Sequence, residues 1–227
     1  MRNVPTSVMI FAAGFGTRMR PLTDNVPKPL IRVGGKPLID HTLALVDAVQ
    51  PDKIVMNSHY RADQLRSHVQ GRAITMIEEQ PEILDTGGGL KNAAELFDDG
   101  PVWTTNSDAI WQGPNPLAFA LDHWDPTKMD ALLVCMPLEK TVGRTPPGDF
   151  SISAKGRLSR GGNIVYGGVQ IVQTSSVLAV EERIFSMNRI WDMTAKHSRL
   201  FGCMYPGFWA DVGTPEGIPA AERLLDV

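Results

Sequence analysis

Short apolar runs alternate with amphipathic stretches up to about residue 139. Residues 7–13 (SVMIFAA) read as a first strand that stops at Gly14. Residues 37–49 place Ile39, Leu43, Val46 and Val49 on one helical face behind Pro37. Strands are predicted over 53–58, 73–79, 102–106 and 130–138, with helices over 61–70 and 89–97. In the second helix Leu90, Ala93, Ala94 and Phe97 face inward. Strand–helix alternation implies parallel pairing with both sheet faces covered. Beyond residue 139 the pattern changes. Residues 141–149 form a loop rich in proline and glycine, 150–153 and 157–159 a hairpin, and 163–172 a strand with two glycines. A mainly helical stretch covers 176–197, and a last helix starts at Pro215. The expected fold is α/β, a doubly wound, Rossmann-like, mostly parallel sheet with a small, partly antiparallel lobe over its carboxyl edge. The chain, 1–227, reads as one domain with halves 1–139 and 140–227.

Composition narrows the function. The 227 residues suffice for a sizeable core without metal or disulfide staples. Net charge is −3, which gives no general attraction to nucleic acid or anionic lipid. Cys135 and Cys203 lack metal-ligand spacing and read as core thiols in a reducing compartment. The first residues do not form a signal peptide, and no run of about 18 apolar residues suggests a membrane span. The expectation is a cytoplasmic protein with neither nucleic-acid nor membrane partners.

The candidate chemistry begins where the first strand ends. Gly14 and Gly16 are followed by Arg18, Arg20 and Lys28, with Pro21, Pro27 and Pro29 between and around them. Glycine turns at strand ends let backbone N–H groups approach phosphate. The dinucleotide fingerprint fails, because no third glycine follows at its spacing. The Walker A pattern fails as well, because Lys28 is far down the loop and no Ser or Thr follows it. What is left is a stiff cationic loop, suited to a triphosphate that releases pyrophosphate.

Five segments carry a family resemblance. Residues 11–30 (FAAGFGTRMRPLTDNVPKPL) resemble the signature of sugar-1-phosphate nucleotidyltransferases. Residues 85–89 (DTGGG) resemble that family's second nucleotide segment, and 106–108 (NSD) its metal-binding N-G-D with Ser107 for glycine. Residues 166–168 (YGG) resemble its sugar-site glycines, and 209–216 (WADVGTPE) its C-terminal motif. The compact length and DTGGG resemble most the N-acetylmuramate-1-phosphate uridylyltransferase branch, without a hexapeptide repeat or regulatory tail.

The resemblance implies attack of a sugar 1-phosphate on the α-phosphorus of an NTP, UTP by branch, with Mg²⁺ as cofactor. It implies a nucleotide-binding first half and a sugar-binding lobe in the second. Arg18, Lys28 and Asp108 would be catalytic: Arg18 on the leaving pyrophosphate, and Lys28 on the α-phosphate and sugar phosphate. Ala12, Ala13, Gly14, Gly16, Thr17, Arg18, Glu82, Asp85 and Gly87 would bind the nucleotide, although capping a helix serves Asp85 equally well. Lys28, Asn163, Gly168 and Asp211 would bind the acceptor, and Asp108 and Asp211 would hold the metal. A β-bulge also accounts for the glycines at 167 and 168. The five histidines are read as structural. The stripe Ile184, Met187, Ile190 and Trp191 is either helix core or a dimer face, so the chain is a monomer or homodimer.

Close alternatives keep the chemistry and change the acceptor: cholinephosphate cytidylyltransferases and mannose-1-phosphate guanylyltransferases share the first signature. A catalytically silent nucleotide-sugar sensor is the alternative of another class.

Overall fold

The computed structural model describes residues 3–225. Strand β1 (Ser7–Phe11) is almost wholly buried. A small ladder, β2 (Arg32–Val33) with β3 (Lys36–Pro37), leads into α1 (Leu38–Val49), whose Leu38, Ile39, Leu43 and Val46 are buried. Then follow β4 (Lys53–Ser58), α2 (Ala62–His68), β5 (Ile74–Glu78), α3 (Asp85–Ala93) and β6 (Pro101–Asn106). Next come β7 (Ala109–Gln112), α4 (Pro116–His123), β8 (Ala131–Pro137) and β9 (Thr141–Val142). The predicted hairpin is present as β10 (Phe150–Ile152) and β11 (Leu158–Arg160). The chain closes with β12 (Ile164–Gln173), α5 (Thr174–Leu178), α6 (Met187–Lys196), β13 (Leu200–Met204), β14 (Phe208–Asp211) and α7 (Gly217–Leu224).

The main sheet runs β5, β4, β1, β6, β12, β8, β13. The first four strands are parallel, and β12 lies antiparallel between β6 and β8. α1, α2 and α4 pack on one face, and α3, α5 and α6 on the other. From β1 the chain winds outward through β4 to β5, then returns to the far side of β1 with β6. This is a topological switch point, where open α/β sheets form a crevice at the carboxyl ends of their strands. A second sheet, β7-β14-β9, stands at that edge. A third apolar cluster, with buried Met19, Ile31, Val33, Ile110, Ala210 and Val212, fastens the loop after β1 to it.

Three expectations change in detail. The helix predicted from residue 89 starts at Asp85 and takes in all three glycines. The stretch 176–197 splits into α5 and α6. The short strand β7 follows Asp108 directly. The stripe on α6 belongs to the core, since Met187, Ile190 and Trp191 are buried and Ile184 alone is exposed.

β12 outlasts β6 at the crevice end, and the β10–β11 hairpin pairs there instead. Its register against β8 shifts between Tyr166 and Gln170. Gly168 has φ +93, and a Cβ on it would lie 2.9 Å from Asn106 Nδ2. A Cβ on Gly167 would overlap the Trp111 ring. Over-packing of this kind costs about 1–3 kcal/mol. Gly167→Ala is therefore expected to lower unfolding free energy by about that amount in urea titration, with an unchanged m-value.

Candidate active site

β1 ends at Phe11, and the next backbone N–H, that of Ala12, donates to Asn57 Oδ1 at 2.8 Å. Asn57 ends β4 and donates through Nδ2 to Glu79 Oε1 at 2.7 Å. Glu79 Oε2 accepts the N–H of Leu84 at 2.8 Å, just before α3. Asn57 and Glu79 are 4% and 1% exposed, so this is a buried polar chain linking the two nucleotide-like segments. Gly89 completes it: a Cβ there would sit 2.7 Å from Glu79 Oε1.

The cationic loop folds back on itself. Gly16 has φ +64, and a Cβ on it would lie 2.9 Å from Lys28 Cβ. Thr23 Oγ1 donates to the Gly16 carbonyl at 2.8 Å. From the β4–α2 connection, Tyr60 Oη donates to the Thr23 carbonyl at 2.9 Å and Gln64 Nε2 to the Asn25 carbonyl at 2.9 Å. These bonds and buried Met19 hold the Lys28 stem under the glycine turn.

Lys28 Nζ meets Asp108 Oδ2 at 2.6 Å, with the lysine side chain 12% exposed. Asp108 lies between β6 and β7. The β7–β14 register pairs Ala109 with Asp211, and the Val212 N–H donates to the Asp108 carbonyl at 3.1 Å. Two aspartates far apart in sequence thus share one edge. Burial, and then the Asp108 charge, push the Asp211 carboxyl up; Lys28, Arg18 and Arg144 pull it down. Two carboxylates at one edge suit a divalent cation, which needs further oxygens from phosphate and water. No cluster of three or more His, Cys, Asp or Glu is poised for a metal among the described residues.

Two clefts meet at this edge. The first, about 230 Å³, is walled by Ala12, Ala13, Gly14, Lys28, Asp85 and Thr86, among others. The second, about 270 Å³, is walled by Arg18, Arg144, Arg160, Tyr166, Trp209 and Asp211, among others. Asn106 and Asp108 face both.

Several expected residues stand elsewhere. Glu82 is exposed and pairs with Arg183 at 3.3 Å. Gly87 is buried under the Phe185 ring, and the N–H of Gly88 donates to the Phe185 carbonyl at 2.9 Å. Gly87 and Gly88 thus make room for segment 183–187, and Gly89 for Glu79 and Asn57. Thr17 is exposed at the start of a short 3₁₀ turn. Asn163 is exposed just before β12 and lines neither cleft; its carbonyl accepts the Leu138 N–H at 3.1 Å. Gly168 touches the second cleft only through Asn106. Asp85 combines two tasks: it walls the first cleft, and its Oδ1 accepts the Thr86 N–H at 2.6 Å. Arg18 leans on Gly213 beside Asp211 in the second cleft.

Other groups are set aside by their surroundings. Burial pushes the Cys203 thiol up to about 12 and the Cys135 thiol well above its ordinary value, so neither supplies a thiolate. His41, His59 and His123 bond to backbone carbonyls, and His68 to Asp40.

Residues 7–142 match the Nucleotidyl transferase family. The chain is 37% identical to an N-acetylmuramate alpha-1-phosphate uridylyltransferase of Caulobacter vibrioides, over 99% of both chains. It is 30% identical to a probable mannose-1-phosphate guanylyltransferase of Arabidopsis thaliana, over 95% of this chain and 64% of that one. A putative glucose-1-phosphate thymidylyltransferase from Bacillus anthracis superposes with a TM-score of 0.81 at 16% identity, covering 96% and 94%.

Asn57→Ala removes a donor from buried Glu79 and the acceptor of Ala12. Leaving such groups unpaired costs about 1–3 kcal/mol each. The variant is expected to lose roughly 2–4 kcal/mol of stability in urea titration.

Proposed function

Because the chain belongs to the nucleotidyl transferase family and is a sugar-1-phosphate nucleotidyltransferase, we propose that its substrates are UTP and N-acetylmuramate 1-phosphate. One observation carries this reading above the rest: Asp108 stands at the wall that the two clefts share, and Lys28 of the first cleft is paired with it. The near full-length likeness to an N-acetylmuramate alpha-1-phosphate uridylyltransferase supports this choice of sugar and base.

The first cleft takes the nucleotide. Small residues Ala12, Ala13 and Gly14 let base and ribose lie against the end of β1. The second cleft takes the sugar, with its phosphate beside Asn106. The sugar phosphate oxygen attacks the α-phosphorus in line, and pyrophosphate leaves, with no covalent enzyme intermediate. Lys28 neutralises charge that builds on the α-phosphate, and to do so it exchanges the Asp108 carboxylate for phosphate oxygens. Arg18 turns its guanidinium from the Gly213 side to the departing phosphates. Asp108 and Asp211 are the residues that would hold Mg²⁺, which supplies positive charge against the phosphates when bound. We place the protein in the cytoplasm, where a UTP pool is available to it.

The test is pyrophosphate release with Mg²⁺, each common NTP, and N-acetylmuramate 1-phosphate, mannose 1-phosphate or phosphocholine. UTP with the muramate ester is expected to react fastest. Preference for GTP with mannose 1-phosphate, or CTP with phosphocholine, would overturn the substrate assignment. Rates no higher than those of Asp108→Asn for every pair would leave a nucleotide-sugar sensor. For Lys28→Ala, kcat should fall by about 10²–10³-fold, with a much smaller change in the KM for UTP.

A further inference from the structure

The second cleft is walled by three arginines and three aspartates, and its cations lie on different elements. At the near end, Arg18 and Arg144 both act on Asp211 beside the reacting edge. Arg144 Nη2 is fixed on Asp149 Oδ1 at 2.7 Å, and Asp149 Oδ2 is itself held by the Tyr166 N–H at 3.0 Å. The buried Nε of Arg144 has no partner, and neither has the buried Nε1 of Trp209, a residue 6% exposed. Trp209 and Asp211 are two residues apart on β14, so their side chains share one face. Two covered donors without acceptors, next to Asp211, suit the oxygens of the sugar phosphate.

Arg160 stands at the other end. It ends β11 and reaches the Asn188 carbonyl of α6, whereas Asp211 lies on β14. Its guanidinium lies in the corner of two rings, 5.0 Å from the Phe150 centroid and 5.4 Å from that of Trp191. Nη2 donates to the Asn188 carbonyl at 3.0 Å, and Nε to Asp192 Oδ1 at 2.8 Å. The rings and the carbonyl fix its orientation. The Asp192 pair is solvent-exposed, 41% and 56%, and an exposed pair of this kind is readily exchanged.

We propose that Arg160 reads a second anion on the acceptor, a carboxylate carried on the sugar at the end away from the phosphate. This rests on the reading of the second cleft as the sugar 1-phosphate site. N-acetylmuramate 1-phosphate has such a group in its lactyl ether; N-acetylglucosamine 1-phosphate is the same sugar without it. Arg160 is then a specificity-determining residue with no part in the phosphoryl step.

The test compares the two sugars with UTP in wild type, Arg160→Met and Asp192→Asn. Methionine keeps an apolar stem against Phe150 and Trp191 and removes the charge. In wild type, kcat/KM should favour the acid by at least about 100-fold, as expected when a site built to pair a polar group meets an analogue lacking it. In Arg160→Met the acid should lose about 100-fold, through KM, while the neutral sugar changes less than about 2-fold. Turnover of the neutral sugar reports that the variant is folded. Asp192→Asn frees Arg160 and should lower the KM for the acid alone; it decides the matter should Arg160→Met fail to fold. Equal loss on both sugars, no loss on either, or no effect of Asp192→Asn on the acid's KM would overturn the role of Arg160 and leave the reaction standing. Failure of wild type with both sugars would overturn the substrate reading itself, and this inference with it.

Discussion

The ion pair between Lys28 and Asp108 joins the two parts on which the site depends. Lys28 comes from a loop that belongs to no sheet, and Asp108 from the end of the central strand next to β1. At 2.6 Å, with the lysine mostly covered, the pair pins the loop over the crevice. The attraction is stronger there than in bulk water, because the surroundings are less polarisable. In the proposed reaction both members also act on the reacting groups. The free site thus stores its cation and its anion against each other, in place of two groups awaiting ligands unpaired.

Behind this pair the support is of two kinds. Apolar packing holds the loop from below, through Met19, Val33 and Val212 in the third cluster. Hydrogen bonds hold the crevice from the side, from Ala12 through Asn57 and Glu79 to Leu84. A fully buried carboxylate is expensive unless its oxygens are bonded. Here each oxygen of Glu79 has a donor, so the chain acts as a rigid strut between β1 and α3. Glycine at 89 leaves the room the strut needs.

Much of this was legible in the residues. Alternating apolar runs foretold the parallel sheet, and the glycine turn with Arg18 and Lys28 marked the crevice. Asp108 and Asp211 sit within motifs, so their meeting was foreseeable. Other features depend on partners distant in sequence. Glu79 ends a polar-looking strand, and nothing local reveals that α3 will cover it. Gly87 looks like a residue that admits a ligand, yet it admits Phe185. Asn163 precedes a strand whose first half pairs with a hairpin, and it is Tyr166 of that strand that walls the second cleft. Arg144 and Arg160 belong to no motif, and their surroundings come from Trp191 and Asp211, which other elements contribute.

The β7–β14 ladder carries a consequence for how the protein comes into being. Its pairing spans about a hundred residues, so the loop to be closed is long and the contact forms late relative to local structure. The strands β1, β4, β5 and β6 leave the ribosome well before β14 does. A growing chain therefore possesses the cationic loop and Asp108 for some time without Asp211. In that interval it has half of its acidic pair and only one wall of the second cleft. On the proposed roles, the acidic pair and the second wall are completed only when β14 docks beside β7.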